Sequence, residues 1–426
     1  MRSISCCVRA LCSRARQPCK LPQLHPEMHP VLSAALVEKM KISAPNEVQT
    51  QALLPAMRGR DVLVCAQTGS GKTLISLLPL LHRVLSAPPA RATPGLALQP
   101  TTLMLAPTRE LALQHESVAR QLAGSSIATI SGSMGGDHDR EGDVSLVVTT
   151  PARLLEQLSL GSVCLGRLEA VAIDEVDAVL CGGSAHDQRM PDIAMELLHA
   201  LRGAGQPQML LTTAHLSDAH QALLIQEFPD AELVRQRANS AHTGILVPSL
   251  RQRFHYFSDD KDAKLVRVLQ AATEDPWLCA GSALVFCSES LTAERVHSLL
   301  AAASPELNPV LLHDQLLDEA RASSAAAFRD NTSRLLVCTG VAVRGLNFPS
   351  LRHVVMYDVL EGVADFVHCA GRTARRGQKG LLTCLVPAGA GSRHGTRYQH
   401  LHSLQPAAPL TFDQTSHDNV DGVRKN

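Results

Sequence analysis

The chain has 426 residues, with 40 Lys plus Arg against 40 Asp plus Glu and a formal net charge of zero, so any surface for a polyanion must be a local patch. Hydrophobic residues make up 45%, and the length favours two domains of ordinary size. No apolar run reaches the length of a membrane span, and one Trp with three Tyr argues against a surface built on aromatic stacking. Twelve cysteines lack a C-x-x-C pair or zinc spacing and read as reduced thiols packed as small apolar residues.

Residues 1–27 carry Arg2, Arg9, Arg14, Arg16 and Lys20, with no acid before Glu27. That composition predicts an organellar transit peptide, mitochondrial rather than plastid. The alternative is a disordered basic arm on RNA in a cytoplasmic or nuclear protein. From 28 to 235 short apolar runs alternate with helical patterns. Strands are predicted over 61–66, 102–106, 145–149, 170–174 and 208–212. The leucines at 74, 77, 78, 81 and 85 recur at helical spacing. The Pro- and Ala-rich stretch 87–95 reads as a surface loop, and the polar, aperiodic residues 236–250 as a flexible linker. A second series occupies 251–387, with strands over 282–287, 309–312, 334–338, 353–357 and 380–384 and helices over 292–303 and 318–328. Residues 388–426 read as a mobile tail. Such alternation predicts α/β domains with parallel sheets covered on both faces.

Two segments carry the chemistry, each directly after an apolar strand. Ala66, Gln67, Thr68, Gly69, Ser70, Gly71, Lys72 and Thr73 form a glycine-rich phosphate loop. Its glycines let successive backbone N–H groups face phosphate oxygens. Lys72 would reach the β- and γ-phosphates and Thr73 would ligate Mg²⁺. Roughly a hundred residues on stand Asp174, Glu175, Val176 and Asp177. Adjacent carboxylates at a strand end are costly without a cation, so Asp174 is read as holding Mg²⁺ and Glu175 as polarising the attacking water. The predicted cofactors are therefore ATP and Mg²⁺.

Through these two segments and the motifs around them, the chain resembles the DEAD-box RNA helicases over roughly 30–385, as a divergent member with Asp-Glu-Val-Asp at 174–177. The resemblance implies two tandem RecA-like domains. Gln49 resembles the glutamine that reads the adenine edge. Pro107, Thr108, Arg109, Gly136, Thr150 and Arg153, with Thr339 and Arg344 in the second half, resemble the residues holding a single RNA strand by its backbone. Such contacts carry little base information. Thr213 and Asp177 resemble the pair coupling ATP state to strand separation, with His368 beside them. Asn347 resembles a ribose contact, and Arg372 with Arg375 the arginine fingers, whose spacing of three suggests one helical face. The pair His313-Asp314 resembles the family's His-Gly, although a structural histidine fits equally.

The resemblance implies an RNA-stimulated ATP hydrolase that opens short RNA duplexes or remodels ribonucleoprotein. The expected partners are single-stranded or short duplex RNA and ribonucleoprotein or ribosome-assembly factors, with no membrane and a monomeric state. Several positions depart from the family pattern: Val176, His215 in motif III, Gly340 and Asn347 in motif V, Cys369 in motif VI, and Leu24 near the usual adenine-stacking aromatic. They touch the coupling parts and spare the phosphate machinery. The alternative they imply is an ATP-dependent RNA clamp or assembly factor with little unwinding.

Overall fold

The computed structural model describes residues 28–387 apart from 68, 88–96, 125–127, 131–143, 181–190, 215, 237–248, 259, 341–345, 347, 359–365, 367–368 and 376–377. The basic leader, most of the linker, the tail, Thr68, Gly136, His215, Arg344, Asn347 and His368 thus lie outside the described residues.

The first lobe runs α1 (Pro30–Glu38), α2 (Glu47–Met57), β1 (Val62–Cys65), α3 (Lys72–Ser86), β2 (Thr102–Leu105), α4 (Arg109–Ala123), β3 (Ala128–Ile130), β4 (Val144–Thr149), α5 (Pro151–Ser159) and β5 (Ala170–Asp174). It continues with α6 (Val176–Leu180), α7 (Asp192–Gly203), β6 (Gln208–Thr213), α8 (Asp218–Glu227) and β7 (Glu232–Arg235). The second lobe contains β8 (Leu250–Phe257), α9 (Lys261–Glu274), α10 (Pro276–Cys279), β9 (Ser282–Cys287), α11 (Ser290–Ala303), β10 (Val310–Leu312), α12 (Asp318–Arg329), β11 (Leu335–Thr339), β12 (Leu351–Met356) and β13 (Gly380–Pro387).

Each lobe is one parallel sheet, of seven strands ordered β3-β4-β2-β5-β6-β1-β7 and of six ordered β10-β11-β9-β12-β13-β8. The alternation of side chains along each strand explains why both faces are covered. In the first lobe Val62, Val64, Met104, Ala170 and Ala172 enter one core, while Leu63, Leu103, Leu105, Val171 and Ile173 enter the other. In the second, Leu284, Phe286, Leu336 and Cys338 face one side and Val285, Cys287, Leu335 and Val337 the opposite side. Cys287, Cys338, Cys369 and Cys384 are buried thiols outside any disulfide, as expected of thiols used as packing.

The anticipated strands and helices form, within a few residues of their predicted ends. The sequence reading missed β3, β7 and β8. The first two are short, of three and four residues. β8 alternates apolar and basic residues at a sheet edge, so its pattern is half-polar although it pairs with β13 along its length. A further correction concerns Arg372 and Arg375. They do not share a helical face, because Ala374 between them stands at φ 56° and breaks the turn. A left-handed alanine costs roughly 1–2 kcal/mol.

Candidate active site

Register brings the chemistry together. Cys65 at the end of β1 lies beside Thr213, and Asp174 at the end of β5 lies beside Thr212. The phosphate loop, the acidic pair and the end of β6 therefore share one crevice at the carboxyl edge of the sheet, where α/β folds bind ligands.

Within the loop, Gly69 and Gly71 adopt φ of 82° and 78°. A side chain at Gly71 would meet Gln49 Nε2 at 2.3 Å, but it is the left-handed φ that calls for glycine there. Asn46 and Gln49 form a capping box that starts α2. The same two side chains grip the loop: Asn46 Nδ2 donates to the Ser70 carbonyl at 2.6 Å and Gln49 Nε2 to that of Gly71 at 3.3 Å. Lys72 Nζ folds over the loop, donating to the carbonyls of Ala66 at 2.7 Å and Gln67 at 3.0 Å. Burial pulls its ammonium pKa down, against the opposing pull of Asp174 and Glu175. The Ser70 hydroxyl is buried without a partner. Thr73 sits on the first turn of α3.

The Asp174 carboxylate is held on both sides. Its Oδ1 accepts from Thr212 Oγ1 at 2.6 Å and from the Glu175 backbone N–H at 3.0 Å. Its Oδ2 lies 3.1 Å from His115 Nε2 on α4. Burial alone would raise this carboxyl, but the His115 imidazole, the Thr212 hydroxyl and the Lys72 charge outweigh it and bring it to about 2, so the group is an anion ready for a cation. Glu175 is buried at φ 50°. The second lobe reaches it here, with Arg372 Nη2 3.8 Å from Glu175 Oε1. Arg372 Nη1 donates to the Leu346 carbonyl at 3.0 Å, and Arg375 Nε to that of Gly371 at 2.8 Å. Nearby, Thr213 Oγ1 donates to Asp177 Oδ1 at 2.6 Å.

This layout agrees with comparison to known proteins. A family model described as DEAD/DEAH box helicase matches residues 46–223, and one described as helicase conserved C-terminal domain matches 261–377. The ATP-dependent RNA helicase RhlB of Cronobacter sakazakii is 31% identical over 359 residues, 83% of this chain and 80% of the relative. The chain belongs to the DEAD/DEAH box helicase family. It is an enzyme that hydrolyses ATP. The ATP-dependent RNA helicase dbp8 of Aspergillus oryzae is 30% identical over 362 residues, 82% of this chain and 77% of the relative. The solved structure of S. cerevisiae Dbp5 bound to RNA and ADP BeF3 superposes with a TM-score of 0.74 at 22% identity, covering 91% of this chain and 93% of that one. It supports the two-lobed fold.

The remaining residues of this DEAD/DEAH box helicase divide into two groups. Thr108, Arg109, Thr150, Arg153 and Thr339 lie at strand ends or first helical turns, with Pro107 just before them. Thr108 caps α4 by accepting from the Leu111 N–H at 3.3 Å. Arg153 pairs with Glu156 at 2.5 Å, and the Thr339 hydroxyl is buried without a partner. Arg109 is ion-paired to Asp318 on α12, which gives it an interlobe role the sequence did not suggest. His313 is 1% exposed and faces Glu294 at 3.3 Å, while Asp314 accepts from Ser290; both are anchored within the second lobe.

Four groups escaped sequence reading: Thr212, His115, Gln236, which accepts from the Gln67 N–H at 3.0 Å, and the pair Arg321–Glu110 at 2.8 Å. None has a local motif; only the sheet register and lobe contact reveal them. Arg321 and Glu110 are both largely shielded at the lobe junction. Removing one partner of a buried pair leaves the other charge stranded, at a cost of about 3 kcal/mol. Arg321→Ala is therefore expected to shift lobe closure by about that amount. Fluorescence transfer between labelled lobes, titrated with a non-hydrolysable ATP analogue and RNA, measures it; an unchanged titration would refute the contact's role.

Proposed function

We propose that the chain is an RNA-stimulated ATPase that uses Mg²⁺-ATP to open short RNA duplexes or remodel ribonucleoprotein. The carrying observation is the meeting of Arg372 with Glu175 across the two lobes, so that one lobe presents the phosphate loop and the other presents cationic charge to it. The names of the relatives, RNA helicases of bacteria and fungi, support RNA as the polymer.

The residues present fit the nucleotide and its cation. Gly69 and Gly71 leave the loop's backbone close to the phosphate position, and Ser70 Oγ is an orphaned buried hydroxyl there. Thr73 and the ionised Asp174 would supply the oxygen donors for Mg²⁺, which at nucleotide sites takes one or two protein ligands beside the substrate phosphates. Bound there, Mg²⁺ would neutralise charge on the β- and γ-phosphates. Gln49, which donates to the Gly71 carbonyl, would read the adenine edge. Lys72 exchanges its carbonyl partners at Ala66 and Gln67 for phosphate oxygens. Glu175 accepts the proton of the attacking water, and the Arg375 guanidinium meets charge growing on the transferring phosphoryl group. Thr213 and Asp177 tie the end of β6 to the acidic turn, so a shift at the phosphates is felt at the strand ends.

RNA would cross the edge formed by Pro107, Arg109, Thr150, Arg153 and Thr339, held by its backbone. A clamp with little unwinding is the second reading. Cys369, where the family has arginine, is packed in the second lobe's core and supplies no cation at the interface. Phosphate release with and without single-stranded RNA, run beside strand displacement of a short duplex, tests both. RNA stimulation with displacement is expected. Stimulation without displacement would select the clamp, and no stimulation by RNA would reject both.

A further inference from the structure

His115 sits on α4 with none of its side chain exposed, among the aliphatic residues Leu111, Ala112 and Ala119 of the same helix. An imidazole in such surroundings is costly unless its nitrogens are satisfied. In this structure neither ring nitrogen completes a hydrogen bond, yet Nε2 stands 3.1 Å from Asp174 Oδ2. The other carboxylate oxygen, Oδ1, is already committed to Thr212 Oγ1 and the Glu175 N–H. Oδ2 is therefore the oxygen left to face the cation, and His115 is the side chain against it.

We propose that His115 is a positioning residue for the metal site, bracing Asp174 Oδ2 from behind so that the carboxylate meets the cation in one orientation. The inference rests on the reading of Asp174 as the Mg²⁺-holding carboxylate. Its physical basis is that partners of a metal-binding carboxylate limit its rotation and tune its strength, and losing one typically lowers metal affinity about 10- to 100-fold. Thr212 and the backbone fix one edge of the carboxylate, which can still tilt about that edge. His115 removes the tilt.

The test uses the full-length protein with a non-hydrolysable ATP analogue and Mn²⁺, free Mn²⁺ being counted by electron paramagnetic resonance. His115→Asn keeps a polar amide but is too short to reach Oδ2. His115→Gln places an amide nitrogen about where Nε2 stands. We expect His115→Asn to weaken Mn²⁺ binding about tenfold and His115→Gln to stay within about threefold of the parent. Nucleotide affinity in EDTA should be equal in all three, and thermal melts identify any loss of fold. Parent-like Mn²⁺ affinity in folded His115→Asn would overturn the proposal, as would an equal loss in both variants, which would mark His115 as packing alone. Asp174→Asn is the reference. If it loses Mn²⁺ while His115→Asn does not, only the bracing role falls; if Asp174→Asn itself holds Mn²⁺ normally, the metal-site reading falls with it.

Discussion

Glu175→Gln is expected to bind ATP as tightly as the parent and to lower RNA-stimulated turnover about 10³-fold. The substitution keeps the shape of the side chain and its place in the left-handed turn at φ 50°. What it removes is the ability to accept a proton from water, and a positioned general base contributes on the order of 10²–10⁴ in rate. Glu175 is buried at the lobe junction with Arg372 3.8 Å away, so the substitution acts at a shielded position. A fluorescent-nucleotide titration and a phosphate-release assay on the same preparation separate binding from turnover. Turnover within about threefold of the parent would remove Glu175 from the mechanism.

Arg375→Ala carries the largest expected loss, about 10³- to 10⁵-fold in kcat, the range of arginine fingers in phosphoryl transfer. Arg375 is tethered to its own turn through Nε and the Gly371 carbonyl, and its charge already helps to depress the Lys72 ammonium. KM for ATP should change far less than kcat, since the charge acts on the transition state. Arg375→Lys should not restore the rate, because an ammonium cannot reproduce the planar fork. A loss confined to KM would reassign Arg375 to ground-state binding. Arg372 is the poorer probe. It is almost completely buried and hydrogen-bonded to Leu346, so Arg372→Ala would damage packing together with chemistry.

The phosphate loop and the acidic pair were legible without coordinates because each is a local device. Gly69, Gly71 and Lys72 act within one turn, and Asp174-Glu175 act at one strand end. Parallel sheets were legible because buried strands read as continuous apolar runs. β8 was not, since a strand at a sheet edge needs apolar residues on one side only. The common helical face read for Arg372 and Arg375 was wrong, because it assumed a helix that Ala374 interrupts at φ 56°.

By itself, the sequence determined that this protein has two α/β lobes and belongs with the ATP-hydrolysing RNA helicases. Tertiary structure alone decided that His115 stands behind Asp174, that Arg109 and Glu110 are held by α12 of the other lobe, and that Arg372 meets Glu175. The difference is one of range. Backbone conformation and hydrophobic period follow from neighbouring residues, whereas a contact between distant side chains depends on strand register and lobe placement, which the whole set of packing interactions settles together.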